Sequence, residues 1–253
     1  MGWKESKIQR WTSRSLGIIF FVLVSQNLIS SAIDHHQERF EDVALKIWEY
    51  AELGYLEEKS SGLLQQELKD SGFNIQSGIA GIPTAFIAEY NNDGPVLGIL
   101  GEFDALPGLS QQNLPFKTAE GLSSANGHAC GHHLFGAASA WAAVAIKEWL
   151  EESGTPGTIR FYGTPAEEGG SGKVYIARDG YFDDVDIVLH WHPASGNSAD
   201  AQSSNSNKSG KFTFSGISSH AASAPEKGRS ALDGVEAMNC LLYTSPSPRD
   251  VEE

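Results

Sequence analysis

Gly127-His128-Ala129-Cys130-Gly131-His132-His133 is followed directly by an apolar, alanine-rich stretch from Leu134 to Leu150. These seven residues hold one of the two cysteines and three of the eight histidines of the chain. Thiolate and imidazole are ligands that Zn²⁺ and neighbouring metals prefer, and the flanking glycines allow a backbone tight enough to aim several ligands at one point. The stretch therefore predicts a metal-binding turn that opens a long helix.

Patterns typical of helices and of strands alternate around this turn. Apolar periodicity predicts helices within residues 34–70 and 170–179, and strands at residues 84–90, 96–100, 158–162 and 185–189, the last of them buried. The turn residues 91–94 predict that the first two strands form a hairpin or lie side by side. The alternation predicts an α/β fold, a sheet with helices on both faces, in which active sites gather where strands end.

The composition changes after residue 194, where serine, asparagine and glycine dominate up to residue 210 and indicate a linker or surface loop. Residues 211–215 then alternate like a strand, a loop carries His220, and residues 230–242 are predicted to be helical. We expect a catalytic domain over residues 33–206, the start of a second domain over residues 207–242, and a low-complexity tail over residues 243–253.

The N-terminal region has the three parts of a secretory signal. Basic residues precede an apolar run from Leu16 to Val24, and small residues at Ser30 and Ala32 suit cleavage after Ala32. We predict a signal peptide over residues 1–32 and a secreted or periplasmic protein; an uncleaved membrane anchor over residues 16–32 is the alternative. The net charge of −14 argues against nucleic acid and against an anionic membrane surface as partners.

Within the metal-like turn, Cys130 and His132 are the predicted ligands. They are two residues apart and cannot share a helix face, but a turn leading into a helix can point both at one ion. The positive end of that helix is expected to favour the Cys130 thiolate over the thiol. His128 and His133 are expected to support the site or to lie on the surface. A redox thiol is disfavoured because the chain has no Cys-x-x-Cys pair.

Further candidate residues follow predicted strands. Glu167 and Glu168 are neighbours whose side chains diverge, so one can ligate a metal while the other takes a proton from a water molecule that the metal acidifies. In the segment from His190 to His192 an extended backbone places both histidines on one side, and either is a candidate ligand. Asp104 is a candidate partner that fixes the tautomer of a ligand histidine.

Four motifs occur in order: GEFDALPGL at 101–109, GHACGH at 127–132, PAEEGG at 165–170 and WHP at 191–193. With them the chain, from about Phe40 to Met238, resembles the metal-dependent amidohydrolases of the aminoacylase and carboxypeptidase superfamily, peptidase family M20. The branch it resembles most contains p-aminobenzoyl-glutamate hydrolase, the indole-acetyl-amino-acid hydrolases and hippurate hydrolase. The resemblance implies a zinc-exopeptidase-like catalytic domain, a mixed sheet flanked by helices, followed by the start of an inserted α+β ferredoxin-like lid or dimerisation domain.

The resemblance also implies roles for residues of this chain. Cys130 would bridge two divalent ions, zinc or manganese, and the further ligands would be His132, Glu168 and His192. Glu167 takes the position of the general base, Asp104 that of an aspartate beside the metals, and Glu102 that of a metal-binding histidine in more distant relatives. His220 matches a histidine that reaches the site of a partner subunit and polarises the scissile carbonyl, which implies a homodimer formed through the lid domain.

The expected activity is hydrolysis of the amide bond of N-acyl amino acids or small dipeptide-like substrates, for example of the p-aminobenzoyl-glutamate type. The family's last metal ligand falls beyond residue 253, and the sequence after about Leu241 departs from the family pattern. We therefore expect a chain truncated at its carboxyl end, with a non-catalytic metal-binding or interaction fragment as the alternative. Two departures lie nearer the site: His190 replaces an uncharged residue, and His133 stands where relatives often carry Asn or Asp.

Overall fold

The structure, a computed structural model, describes residues 27–114, 116, 125–199 and 210–244. The chain divides into two compact units, residues 1–197 and 198–253, and each is described by itself. Residues 1–26 of the expected signal peptide, the expected domain boundary at 206, and residues 245–253 of the expected tail lie outside the described residues. Among the described helices, none is long and apolar enough to cross a membrane.

Two helices open the first unit, α1 over residues 27–50 and α2 over Glu58–Asp70. In each helix the buried apolar residues recur at three and four positions, which gives the helix one face toward the core; they are Phe40, Val43, Ala44, Ile47, Leu64 and Leu68. The predicted helical region is confirmed, with an interruption at residues 51–57 where Ala51 and Tyr55 take positive φ angles of 41° and 67°.

A five-stranded sheet forms the centre of this unit, in the order β1-β2-β4-β3-β5. The strands are β1 (Asn74–Ser77), β2 (Phe86–Tyr90), β3 (Val96–Gly101), β4 (Thr158–Gly163) and β5 (Ile187–Leu189). β2 pairs antiparallel with β1 and β4, whereas β3 pairs parallel with β4 and β5. The mixed sheet flanked by helices confirms the predicted α/β class.

The expected pairing of residues 84–90 with residues 96–100 is wrong, because β4 lies between β2 and β3. The turn at residues 91–94 leads the chain away from β2 without joining it to β3. β4 takes the central position because it is almost wholly buried, with Ile159, Phe161 and Tyr162 at most 2% exposed. A strand with apolar side chains on both faces is most stable where other strands and helices cover it on all sides.

Helices cover both faces of the sheet. α3 (His132–Ser153), α1 and α2 pack against one face, where Phe86, Ile99 and Phe161 point, and α5 (Gly172–Arg178) packs against the other. A short helical turn, α4 (Glu167–Gly170), precedes α5. Gly136 lets α3 approach the sheet closely, because a methyl group there would lie 2.6 Å from the backbone oxygen of Glu102.

The predicted burial of the strand at residues 185–189 is wrong. The side chains of β5, Ile187, Val188 and Leu189, are 57%, 44% and 50% exposed. β5 lies at the edge of the sheet, and within the described residues it pairs with β3 alone. An apolar run predicts burial only where further elements cover it, and no described segment covers this strand.

The second unit is described over residues 210–244. The helix predicted at residues 230–242 is confirmed as α6 (Ala231–Thr244), and a 3₁₀ turn spans Pro225–Lys227. The strand expected at residues 211–215 does not form; the described pairing there is one bridge between Ile217 and Arg229. Without a neighbouring described strand, the alternating residues have no ladder to join.

Candidate metal centre

The site lies where three neighbouring strands end. β4, β3 and β5 run parallel, so their carboxyl ends meet at one edge of the sheet. Glu102 and Asp104 follow β3, Glu167 and Glu168 follow β4, and His192 follows β5. The turn that carries Cys130 brings the start of α3 to the same edge. The topology therefore gathers residues that are up to 90 positions apart in the chain.

His132 is the first residue of α3 and is fully buried. Its Nδ1–H donates to Asp104 Oδ1 at 2.8 Å, and the other oxygen of Asp104 accepts the backbone N–H of Glu168 at 2.9 Å. The aspartate fixes the ring so that Nε2 faces the site, as partners of ligand histidines do. Burial lowers the pKa of His132, but the contacts with Asp104 and Glu102 outweigh it and raise that pKa to about 10.

Glu102 is a buried carboxylate that sequence reasoning had left without a firm role. Its Oε1 pairs with Lys173 Nζ of α5, and its Oε2 lies 2.9 Å from His132 Nε2. These partners hold the pKa of Glu102 well below its usual range although burial acts in the opposite direction. His190 lies 3.6 Å from Oε1 and packs edge-on against Phe135, so it neighbours the carboxylate without joining the donor groups described below.

Cys130 and His192 form the open side of the site, with Cys130 Sγ 3.3 Å from His192 Nε2. His192 Nδ1–H donates to the carbonyl of Pro193, which leaves Nε2 directed at the thiol. Burial, and next to it the carboxylate of Glu168, raise the pKa of Cys130 to about 11. Burial is the largest cause of this rise, and the expectation that the helix end favours the thiolate stays a prediction.

Two groups of donor atoms in the described part of the chain could hold a metal ion: Cys130, His132 and His192, and Glu102, His132 and Glu167. In each group the ligand atoms lie within 4.8 Å of one another. The groups share His132, whose Nδ1 is already engaged, so its single Nε2 serves one ion at a time. They therefore form one continuous centre and not two independent sites.

The residues fit a divalent metal. Among the described residues, Glu168 Oε1 is buried without a hydrogen-bond partner, and beside it the buried Glu102 Oε2 and His132 Nε2 face each other at 2.9 Å. A buried polar atom without a partner is costly, and a cation bound among these atoms would remove that cost. Thiolate, imidazole and carboxylate together suit Zn²⁺, Mn²⁺ and Co²⁺. The resemblance placed Glu102 at a metal-binding position, but the local sequence gave no sign of Lys173 as its partner, because Lys173 is an ordinary charged residue there.

The remaining candidates lie apart from these donors. His128 is buried and its Nε2–H donates to the backbone oxygen of Ile47 at 3.0 Å; burial lowers the pKa of His128 to about 4. His133 packs against His128, with ring centroids 5.1 Å apart, and burial likewise lowers its pKa to about 4. Both support the turn from inside. His220 belongs to the second unit, where it is exposed and its Nδ1 accepts the N–H groups of Ala222 and Ser223.

The fold and the donor cluster define a candidate metal-binding domain of the α/β class. Residues 98–223 match the model of peptidase family M20/M25/M40. The chain therefore contains a domain of that family and belongs to it, which confirms the resemblance inferred from the four motifs.

Individual relatives also support the assignment to this family. The chain is 44% identical to one of the subunits of p-aminobenzoyl-glutamate hydrolase of Escherichia coli (strain K12) over 210 residues, 83% of this chain and 44% of that protein. It is 32% identical to Xaa-Arg dipeptidase of Mus musculus over 228 residues, 85% of this chain and 48% of that protein. A solved dinuclear metal binding peptidase of the M20 family from Bacillus subtilis has a TM-score of 0.51 and 28% identity, covering 62% of this chain and 43% of its own. The chain spans about half the length of the curated relatives it matches.

Proposed function

We propose that this chain is the metal-binding part of a dinuclear amidohydrolase that cleaves the amide bond of an N-acyl amino acid or a small dipeptide-like substrate. The observation that carries the proposal is His132, buried and fixed by Asp104, with its Nε2 directed at carboxylate, thiol and imidazole donors. The names of the two curated relatives, an aminobenzoyl-glutamate hydrolase and a dipeptidase, support this substrate class.

Cys130, His132 and His192 would hold the ions together with Glu168, whose buried Oε1 has no hydrogen-bond partner, and Glu102 of the second donor group is a further donor. When bound, the ions supply Lewis acidity that polarises a carbonyl and acidifies water. Zinc and manganese both suit the donor set, and we propose one of them as the resident metal.

Glu167 performs the proton transfers. Its Oε2 belongs to the second donor group and lies 3.8 Å from His132 Nε2, but its side chain is 44% exposed whereas Glu102 and His132 are buried, so substrate and water reach it. Its carboxylate takes a proton from the attacking water and then returns that proton to the leaving amine. Asp104 keeps the His132 ring in place throughout.

We further propose that His220 stabilises the developing oxyanion in a partner subunit, within a homodimer formed through the lid domain. The exposure of His220 supports this role, because an exposed imidazole is accessible to another molecule. We also propose export from the cytoplasm through the N-terminal signal at residues 1–32.

The test compares Glu167→Gln with the exposed control Glu49→Gln on p-aminobenzoyl-glutamate and hippurate, with Zn²⁺ or Mn²⁺ added. We expect Glu167→Gln to keep its metal content and to lose turnover by about 10² to 10⁴, whereas the control matches the unchanged protein. The assay is run on this chain and on a version extended to the length of the curated relatives. Unchanged turnover in Glu167→Gln removes Glu167 from the mechanism, and metal binding without turnover in both lengths favours a non-catalytic metal-binding protein.

A further inference from the structure

A third buried carboxylate, after Glu102 and Asp104, lies near the metal centre without belonging to either donor group. Glu57 is the last residue before α2 and is 0% exposed. Burial raises the pKa of Glu57, since a carboxylate removed from water is costly unless each oxygen has a hydrogen-bond donor. The neighbouring Glu58 is exposed, so the pair resembles a solvated helix start in sequence while its two members have opposite environments.

Both oxygens of Glu57 have defined donors. Oε1 accepts the backbone N–H of Ala166 at 2.8 Å, and Oε2 accepts the hydroxyl of Thr84 at 2.9 Å. Thr84 is itself buried. Hydrogen bonds to an ionised group are stronger than neutral ones, and at this depth water does not compete for them. Glu57 therefore ties the start of α2 to the turn that follows β4.

That turn has an unfavourable backbone conformation. Ala166 has φ 57° and ψ 43°, in the left-handed region that residues with a Cβ seldom adopt. Gly54 leaves room for it, because a methyl group on Gly54 would lie 3.0 Å from both Cα and Cβ of Ala166. Such a conformation persists only where the surroundings hold it.

The strained residue is followed directly by Glu167, the proposed proton carrier, and then by Glu168. Asp104 fixes the backbone N–H of Glu168 at 2.9 Å, and Glu57 fixes that of Ala166. Glu167 thus lies between two backbone positions that are each held by a buried carboxylate. The direction of its side chain follows from both.

We propose that Glu57 is a positioning residue, which holds Ala166 in the left-handed conformation and so directs Glu167 toward His132. The catalytic part of this inference rests on the proposed function of Glu167; the conformational part does not. Glu57 belongs to neither donor group, and it acts through the backbone of Ala166.

The test uses Glu57→Ala, Glu57→Gln and the matched control Glu58→Ala in the extended, metal-loaded protein. Glu57→Ala removes the acceptor, and we expect kcat to fall about a hundredfold with little change in KM. Glu57→Gln keeps an acceptor for Ala166 and a group that can bond Thr84, so kcat should return to within about threefold of the unchanged protein. Glu58→Ala should match the unchanged protein in both constants.

Hydrogen exchange of the Ala166 amide gives a second measurement that needs no turnover. We expect exchange about tenfold faster in Glu57→Ala than in Glu57→Gln or Glu58→Ala, because only Glu57→Ala leaves the Ala166 N–H without its side-chain acceptor. If Glu57→Ala does not fold, Glu57→Asp replaces it, since its shorter side chain cannot reach the Ala166 N–H.

Three results would overturn the inference: wild-type kcat in Glu57→Ala, an unchanged Ala166 exchange rate, or a loss of activity that metal analysis traces entirely to lost ions. If the unchanged protein shows no turnover on any substrate, the proposed function fails, and the exchange rates alone decide the positioning role.

Discussion

Binding of the first metal ion should release about two protons at pH 7.5. The pKa of Cys130 is raised to about 11 and that of His132 to about 10, so in the metal-free protein both groups are protonated at that pH. Metal binding requires the thiolate and the neutral imidazole, and each must therefore give up one proton. His132 keeps its Nδ1–H, which is donated to Asp104, and loses the proton on Nε2.

The same count fixes the pH dependence of affinity. Both pKa values lie above neutrality, so binding is opposed by protons over the whole range below about 10. Each unit decrease in pH should lower the affinity about a hundredfold, because two protons compete with one ion. Raising the pH toward 9 should strengthen binding by the same factor per unit.

Isothermal titration of Zn²⁺ in buffers of different ionisation enthalpy measures the number of protons directly, as the slope of observed enthalpy against buffer enthalpy. We expect a slope of about minus two for the unchanged protein and for the control Cys240→Ala, and about minus one for Cys130→Ala, which also binds more weakly. A slope near zero in the unchanged protein, or the same slope in Cys130→Ala, would refute the assignment of Cys130 and His132 as protonated ligands.

Three further perturbations test the scaffold. Asp104→Asn leaves one acceptor for two buried N–H donors and should lower the free energy of unfolding by about 1–3 kcal/mol in urea titrations; an unchanged midpoint would contradict the geometry. Gly136→Ala places a methyl group 2.6 Å from a backbone oxygen just after β3 and should lower the free energy of unfolding by about 1–3 kcal/mol. The control Gly62→Ala in α2, where nothing lies within 4 Å, should raise it by up to about 1 kcal/mol. Equal effects of the two substitutions would argue against close packing of α3. The pKa of His128 is about 4 in the folded protein and about 6.5 in the unfolded chain. Its contribution to the free energy of unfolding is therefore fully present above pH 6.5 and is lost as the pH falls toward 4. Unfolding curves of the metal-free protein that do not change between these pH values would exclude this contribution.

The sequence predicted the local segments that form the site better than it predicted the elements that pack around them. The turn around Cys130, the helix that follows it and the acidic pair at Glu167 carry local signals, namely flanking glycines, apolar periodicity and position after a strand. Strand ends converge in any parallel sheet, so the gathering of these residues followed from the α/β pattern alone. The domain boundaries and the residue roles stay predictions.

What the sequence did not show depends on long-range contacts. Glu57 and Glu102 look like ordinary charged residues locally, and their burial arises from elements far along the chain that pack over them. Likewise, the insertion of β4 between β2 and β3 depends on which strand is most completely covered, a property of the assembled sheet. A pattern of apolar residues predicts that a strand is buried, but it does not predict which neighbouring element buries it.

The open edge at β5 has a practical consequence for handling the protein. Among the residues that the structure describes, no strand pairs with β5 on the side away from β3, and the side chains of Ile187, Val188 and Leu189 are exposed there. Edges of this kind template association between chains. We expect light scattering to rise with protein concentration during refolding, and a lysine at position 188 to suppress that aggregation, which makes purification at low concentration the safer route.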